Sequence, residues 1–158
     1  MRSPTTGFNI IAINMARLLA LVKQTEGRVA YLYGSKPHAG IDAAKIKTSD
    51  CSGYLRWLLP LSASEHVDVP DGSWTQGEWC KKQGFKATSY KDTAALTDFR
   101  LRMAFIPKKG KKPGHVVLIL NGRTIECCGG RGVCRRLWHT PVLAKGITAC
   151  YVLTDPMD

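Results

Sequence analysis

Apolar residues recur with two different periods along this chain, helical in the first half and strand-like in the second. Residues 8–22, "FNIIAINMARLLALV", are apolar with interruptions at Asn14 and Arg17, and predict an amphipathic first helix packed on the rest of the domain. Cys51, Tyr54, Leu55 and Leu58 recur at helical spacing behind Ser49 and Asp50, both good N-caps, and predict a second helix that Pro60 ends. "TQGEWCKKQGF" predicts a short helix closed by Gly84. Between these, "GRVAYLYGSKPHAG" has two alternating tyrosines and then turn residues, so it leads into a loop that continues through "IDAAKIKT". "SASEHVDVPDGSW" reads as a second loop. Beyond it, "LRMAFI", "HVVLIL", "RTIECC" and "ACYVLT" have the composition of strands, with the turn-rich "PKKGKKPG" after the first. Helices first and strands later predict an α+β domain with helices packed on a central antiparallel β-sheet.

One turn in the strand region sets a register. Asn121-Gly122 between two apolar runs is the strongest short hairpin signal, a two-residue type I′ turn. That turn pairs Leu120 with Arg123, Leu118 with Ile125, Val117 with Glu126 and His115 with Cys128. Side chains alternate along a strand, so His115, Val117, Ile119, Thr124, Glu126 and Cys128 share one face. His115 and Glu126 become diagonal neighbours, ~7–8 Å apart at the backbone and within bridging range of an imidazole and a carboxylate. A slip of one residue would separate them.

Composition narrows the class without choosing a function. The 158 residues suit one domain, 1–158, large enough to bury a core without cross-links. Twenty-three Lys and Arg against twelve Asp and Glu give a formal charge of +11, which favours a polyanionic partner: nucleic acid, an anionic membrane or an acidic wall polymer. No helix-turn-helix, zinc-finger or RNP-like pattern accompanies the charge, so a non-enzymatic nucleic-acid binder is the weaker alternative and no nucleic acid is expected as partner. The N-terminal apolar run is too polar for a transmembrane segment and makes a poor signal peptide. Six cysteines leave disulfides among Cys80, Cys127, Cys128, Cys134 and Cys150 open. Cys127, Cys128, Cys134 and His139 are soft ligands in a short span. Their spacing fits no C-x-x-C pattern, and the hairpin register points Cys127 and Cys128 to opposite faces, which disfavours a metal module.

"SDCSGYLRW", residues 49–57, adds a nucleophile to the histidine and the acid. A thiol in the first turn of a helix meets unpaired N–H groups and the positive end of the macrodipole, both of which stabilise negative charge on sulfur. Cysteine, histidine and a polar orienting residue make up an activated-nucleophile triad. Cys128, paired with His115 in this register, is a rival thiol, but its strand lacks the helix-end field.

Together these residues resemble the NlpC/P60 family of papain-like cysteine peptidases, which cut peptides of bacterial peptidoglycan. The Asp-Cys-Ser-Gly motif and following aromatic are matched by Asp50, Cys51, Ser52, Gly53 and Tyr54, and a Tyr-x-x-Gly element by Tyr31 to Gly34. Gly114, His115 and Val116 match the Gly-His-Val that opens the histidine strand, Glu126 falls at the third polar position, and "GGRGV" matches a following glycine-containing segment. The likeness runs from about Tyr31 to Val133. It departs in three places: no Gly-Asp precedes the histidine strand, Glu126 stands where His is commoner, and the loop from Gly34 to Asp50 is long.

The resemblance implies catalysis by Cys51, His115 and Glu126, with the Cys51 N–H helping to stabilise an oxyanion. It implies substrate binding by Tyr31, Asp50, Ser52 and Gly53, the first two holding a peptide's amino end. It implies peptidoglycan as partner, no metal or cofactor, and a monomer. The poor signal peptide suggests a protein made in the cytoplasm that reaches the wall or periplasm through a phage or a secretion apparatus, a toxin role adding an immunity or inhibitor protein as partner. A papain-like transferase or deamidase acting on another amide is the alternative within the same chemistry.

Overall fold

The computed structural model describes residues 1–157. Helix α1 (Met15–Thr25) starts later than the apolar pattern predicts, because the Asn14 side chain accepts the Arg17 N–H and caps it there. The preceding isoleucines run extended. Ile11 donates its N–H to Leu153 and Ile13 bridges Ala63, which places Ile10 and Ile11 in the interior without helical spacing. Helix α2 (Cys51–Ser62) begins where expected: the Asp50 carboxylate accepts the Gly53 N–H at 2.7 Å. It does not end at Pro60. Leu58, Leu59 and Ser62 are all fully buried, and this packing carries the last turn past the proline. Helix α3 (Ser73–Gln83) closes on Gly84 in the left-handed conformation, as the sequence predicts.

Strands β1 (Ala30–Tyr31) and β2 (Thr48–Ser49) pair in parallel and hold the chain on either side of the long loop, which contains a single 3-10 turn at Ala43–Lys45. Six further strands form one antiparallel sheet. They are β3 (Lys86–Thr88), β4 (Arg102–Ile106), β5 (His115–Leu120), β6 (Arg123–Cys128), β7 (Gly132–Cys134) and β8 (Ala149–Val152), in the order β3-β8-β4-β5-β6-β7. The short strands β3 and β7, and helix α4 (Pro141–Gly146), lie where the sequence reading placed no element.

The β5–β6 hairpin has the expected register, Leu118 opposite Ile125 and Leu120 opposite Arg123. Alternation then divides the two faces. Val116, Leu118, Leu120, Ile125 and Cys127 pack with α1 and α2, while Val117 and Ile119 pack with Trp138, Leu143 and Cys150 on the opposite side. Both faces are buried, which explains why these strands are continuously apolar.

Candidate active site

The first turn of α2 and the opening residue of β5 come from opposite halves of the chain, and the packing of α2 on β5 and β6 brings them together. Cys51, 7% exposed, belongs to the α2-side core. Glu126 is fully buried on the other face of the sheet. His115, which opens β5, is where the two meet: its Nε2 lies 2.9 Å from Glu126 Oε1, and Cys51 is near enough to raise the pKa of the same ring. Because Nε2 is taken by the carboxylate, Nδ1 is the nitrogen left for sulfur.

Two glycines make this approach feasible. A Cβ at Gly53 would sit 2.7 Å from Asp50 Oδ1 and 3.0 Å from the Ser35 carbonyl, inside the cap that starts α2. At Gly114, it would sit 2.9 Å from Ser73 Oγ and 3.0 Å from the Ile106 carbonyl, where β5 starts. The glycines beside the cysteine and the histidine therefore have steric reasons.

Burial sets the electrostatics, and ion pairing reverses it. Burial lowers the His115 pKa, but hydrogen bonding and charge from Cys51 and Glu126 outweigh it and push it up to about 9. For Glu126, burial raises the pKa, and hydrogen bonds from His115, Arg136 and Thr124 bring it down to about 2. The carboxylate is thus ionised and Nε2 holds the proton between them.

Arg136 is one residue that sequence reasoning missed. Its Nε donates to Glu126 Oε2 at 2.9 Å and a terminal NH₂ donates to Oε1 at 2.8 Å, a two-pronged clamp. Its backbone is held by Thr124, which donates N–H to the Arg136 carbonyl and accepts the Arg136 N–H at Oγ1. The signal was present: Gly129 and Gly130 mark a second turn, and continuing β7 from Cys134 opposite Glu126 brings Arg136 opposite Thr124. Gln76, fully buried, was also missed; its Nε2 donates to the Ser52 carbonyl at 3.0 Å and ties α3 to the first turn of α2.

Tyr31, from β1, stands beside the cysteine; burial first, then the charges of Cys51 and Asp50, raise its pKa. Asp50 is buried and already has a cation. Lys36 Nζ lies 2.5 Å from Asp50 Oδ2, 3.0 Å from Asp71 Oδ1 and 3.0 Å from Ser52 Oγ. Asp50 and Ser52 therefore face an ammonium of the chain's own, a partner that the sequence reading did not foresee. Of the soft ligands, Cys127 turns to the Ser49 carbonyl and His139 packs edge-to-face with Tyr90, so neither joins Cys128 and Cys134.

No family model and no curated protein matches the chain. Solved structures do. A Staphylococcus aureus Mu50 protein, described as similar to a lipoprotein of the NLP/P60 family, superposes with a TM-score of 0.62 at 14% identity. The alignment covers 95% of this chain but only 45% of the staphylococcal one, so the chain spans less than half of that protein. The P60 domain of the Mycobacterium avium subspecies paratuberculosis antigen MAP1204 superposes with a TM-score of 0.55 at 21% identity, over 90% of this chain and 96% of that domain. At these identities the likeness shows the fold: an α+β domain of NlpC/P60 type.

Proposed function

We propose that a chain with this fold and this thiol–imidazole–carboxylate arrangement is a thiol hydrolase that cuts an amide bond in peptidoglycan stem peptides. The observation that carries the reading is the His115–Glu126 contact at 2.9 Å, with Cys51 close enough to raise the pKa of the same ring. An ionised Glu126 keeps the proton on Nε2, and Nδ1 accepts the proton of the thiol. Sulfur then attacks the amide carbonyl, and the first-turn N–H of Cys51 faces the oxygen that gains charge. Collapse of the tetrahedral adduct breaks the C–N bond as Nδ1–H protonates the leaving amine. Water, deprotonated at Nδ1, attacks the thioester and releases the acid and the free thiol.

Lys36 refines the substrate. The family resemblance has the acid before the nucleophile hold a peptide's amino end, yet here Lys36 already neutralises Asp50. The reading therefore takes peptides whose amino end is acylated, as it is when the stem remains attached to its glycan. A positive surface would hold the protein on an acidic wall after delivery by a phage or a secretion apparatus.

Digestion of purified peptidoglycan by the wild type and by Cys51→Ala, with mass analysis of the fragments, tests the reading. New amino and carboxyl termini released by the wild type alone support it. Equal release by both proteins would remove Cys51 from the mechanism, and conversion of side-chain amides to acids without cleavage would mark a deamidase.

A further inference from the structure

Two cysteines outside this constellation lie in contact. Cys128 Sγ and Cys134 Sγ are 3.8 Å apart, on the adjacent strands β6 and β7, and both are free and half-buried. The other four cysteines are buried in separate surroundings: Cys51 at the start of α2, Cys80 against Met103 Sδ, Cys127 on the Ser49 carbonyl, and Cys150 in the second core. We propose that Cys128 and Cys134 are a modification site, a dithiol that closes to an intrachain disulfide on exposure to a disulfide oxidant.

Closure requires the sulfurs to approach from contact to a bond of about 2.05 Å. The fold allows it. β7 is a three-residue edge strand, and the connection from β6 contains Gly129 and Gly130, the latter at φ 80°. The two thiols are also unequal. The sulfur–sulfur hydrogen bond favours ionisation of one thiol and opposes that of the other, and Arg136 and His115 favour the ionised form of Cys128. One thiol of the pair can therefore act as the attacking thiolate and the other as the resolving thiol.

The cysteine pair also lies close to a carboxylate: one ligand atom each from Glu126, Cys128 and Cys134 falls within 4.8 Å of the others. A metal would need Glu126, but Arg136 binds both of its oxygens and His115 shares one. That leaves the two sulfurs for each other.

The chemistry balances with a small-molecule disulfide as oxidant. The thiolate of one cysteine attacks one sulfur, the oxidant's S–S bond breaks, and one small thiolate leaves. The other cysteine loses its proton, attacks the first cysteine's Sγ and expels the second thiolate. The protein gives up two electrons and two protons, and one disulfide becomes two thiols. The new bond staples β7 to β6 beside the Glu126–Arg136 clamp, so the support of that carboxylate becomes sensitive to redox state.

The test uses the full chain carrying Cys51→Ala, which keeps the outcome independent of the proposed hydrolase activity. The protein is incubated with glutathione disulfide, alkylated and mapped by non-reducing peptide mass spectrometry. The expected product is a monomer lighter by two hydrogens, with Cys128 joined to Cys134 and alkylation of both slowed at least tenfold. Dithiothreitol should restore both thiols, and adding Cys134→Ser should leave only a Cys128–glutathione adduct. Unchanged alkylation of the pair, or a mapped bond to any other cysteine, would overturn the proposal.

Discussion

Glu126 depends on its neighbours, because a fully buried carboxylate without partners would be costly. Arg136 supplies two of its hydrogen bonds, and hydrogen bonds to charged groups are worth about 1.5–3 kcal/mol each. Arg136→Met should lower the urea-unfolding free energy by about 2 kcal/mol and should also cut turnover, since the carboxylate that orients His115 is then held from one side only. Titration gives a second residue-level expectation. The protonated His115 ring is favoured by folding, so its contribution is complete below pH 6.5 and is lost as pH climbs toward about 9. The ionised Glu126 is favoured too, so its contribution is complete above pH 4.5 and fades as pH falls toward about 2. Urea midpoints measured across pH should form a plateau between these limits, and His115→Gln should flatten its alkaline side. Lys36→Met, assayed on peptides with free and with acetylated amino ends, should shift the kcat/KM ratio toward the free amine by uncovering Asp50; an unchanged ratio would remove Lys36 from substrate selection.

Elements position these residues through turns and close approaches. Gly122 has φ 77°, and a Cβ there would meet the Leu96 carbonyl at 2.7 Å. Gly122→Ala is expected to cost on the order of 2 kcal/mol, read as a fall in thermal midpoint. Gly114→Ala should act differently, displacing the start of β5 and lowering kcat more than stability, which paired kinetics and unfolding curves will separate. These contrasts show what could be read in advance. Asn121-Gly122 carries its own backbone preference, so the hairpin and the His115–Glu126 diagonal were legible from local sequence. Asp50 as a cap was legible for the same reason. The start of α1 was not, because β-branched isoleucines before Asn14 match either period until tertiary contacts decide. β3, β7 and α4 are too short to leave a periodic trace. Lys36 on Asp50 and Gln76 on Ser52 join distant segments, so no spacing announces them.

At the scale of the whole molecule, the formal charge of +11 acts over distance rather than at the site. Raising the salt concentration should slow digestion of an acidic wall polymer, because screening removes long-range attraction. Hydrolysis of a short neutral peptide should change little over the same range; equal salt sensitivity would move the effect into the catalytic cleft. The fold also has a consequence for how the proposed activity is assembled. The sulfur arrives with one half of the chain and the imidazole with the other, joined where α2 rests on β5 and β6. The residues from Pro107 to Pro113, between β4 and β5, are all exposed. On the proposed function, a break there should yield two separately inert pieces whose hydrolysis returns only on mixing, so that catalysis reports their reunion.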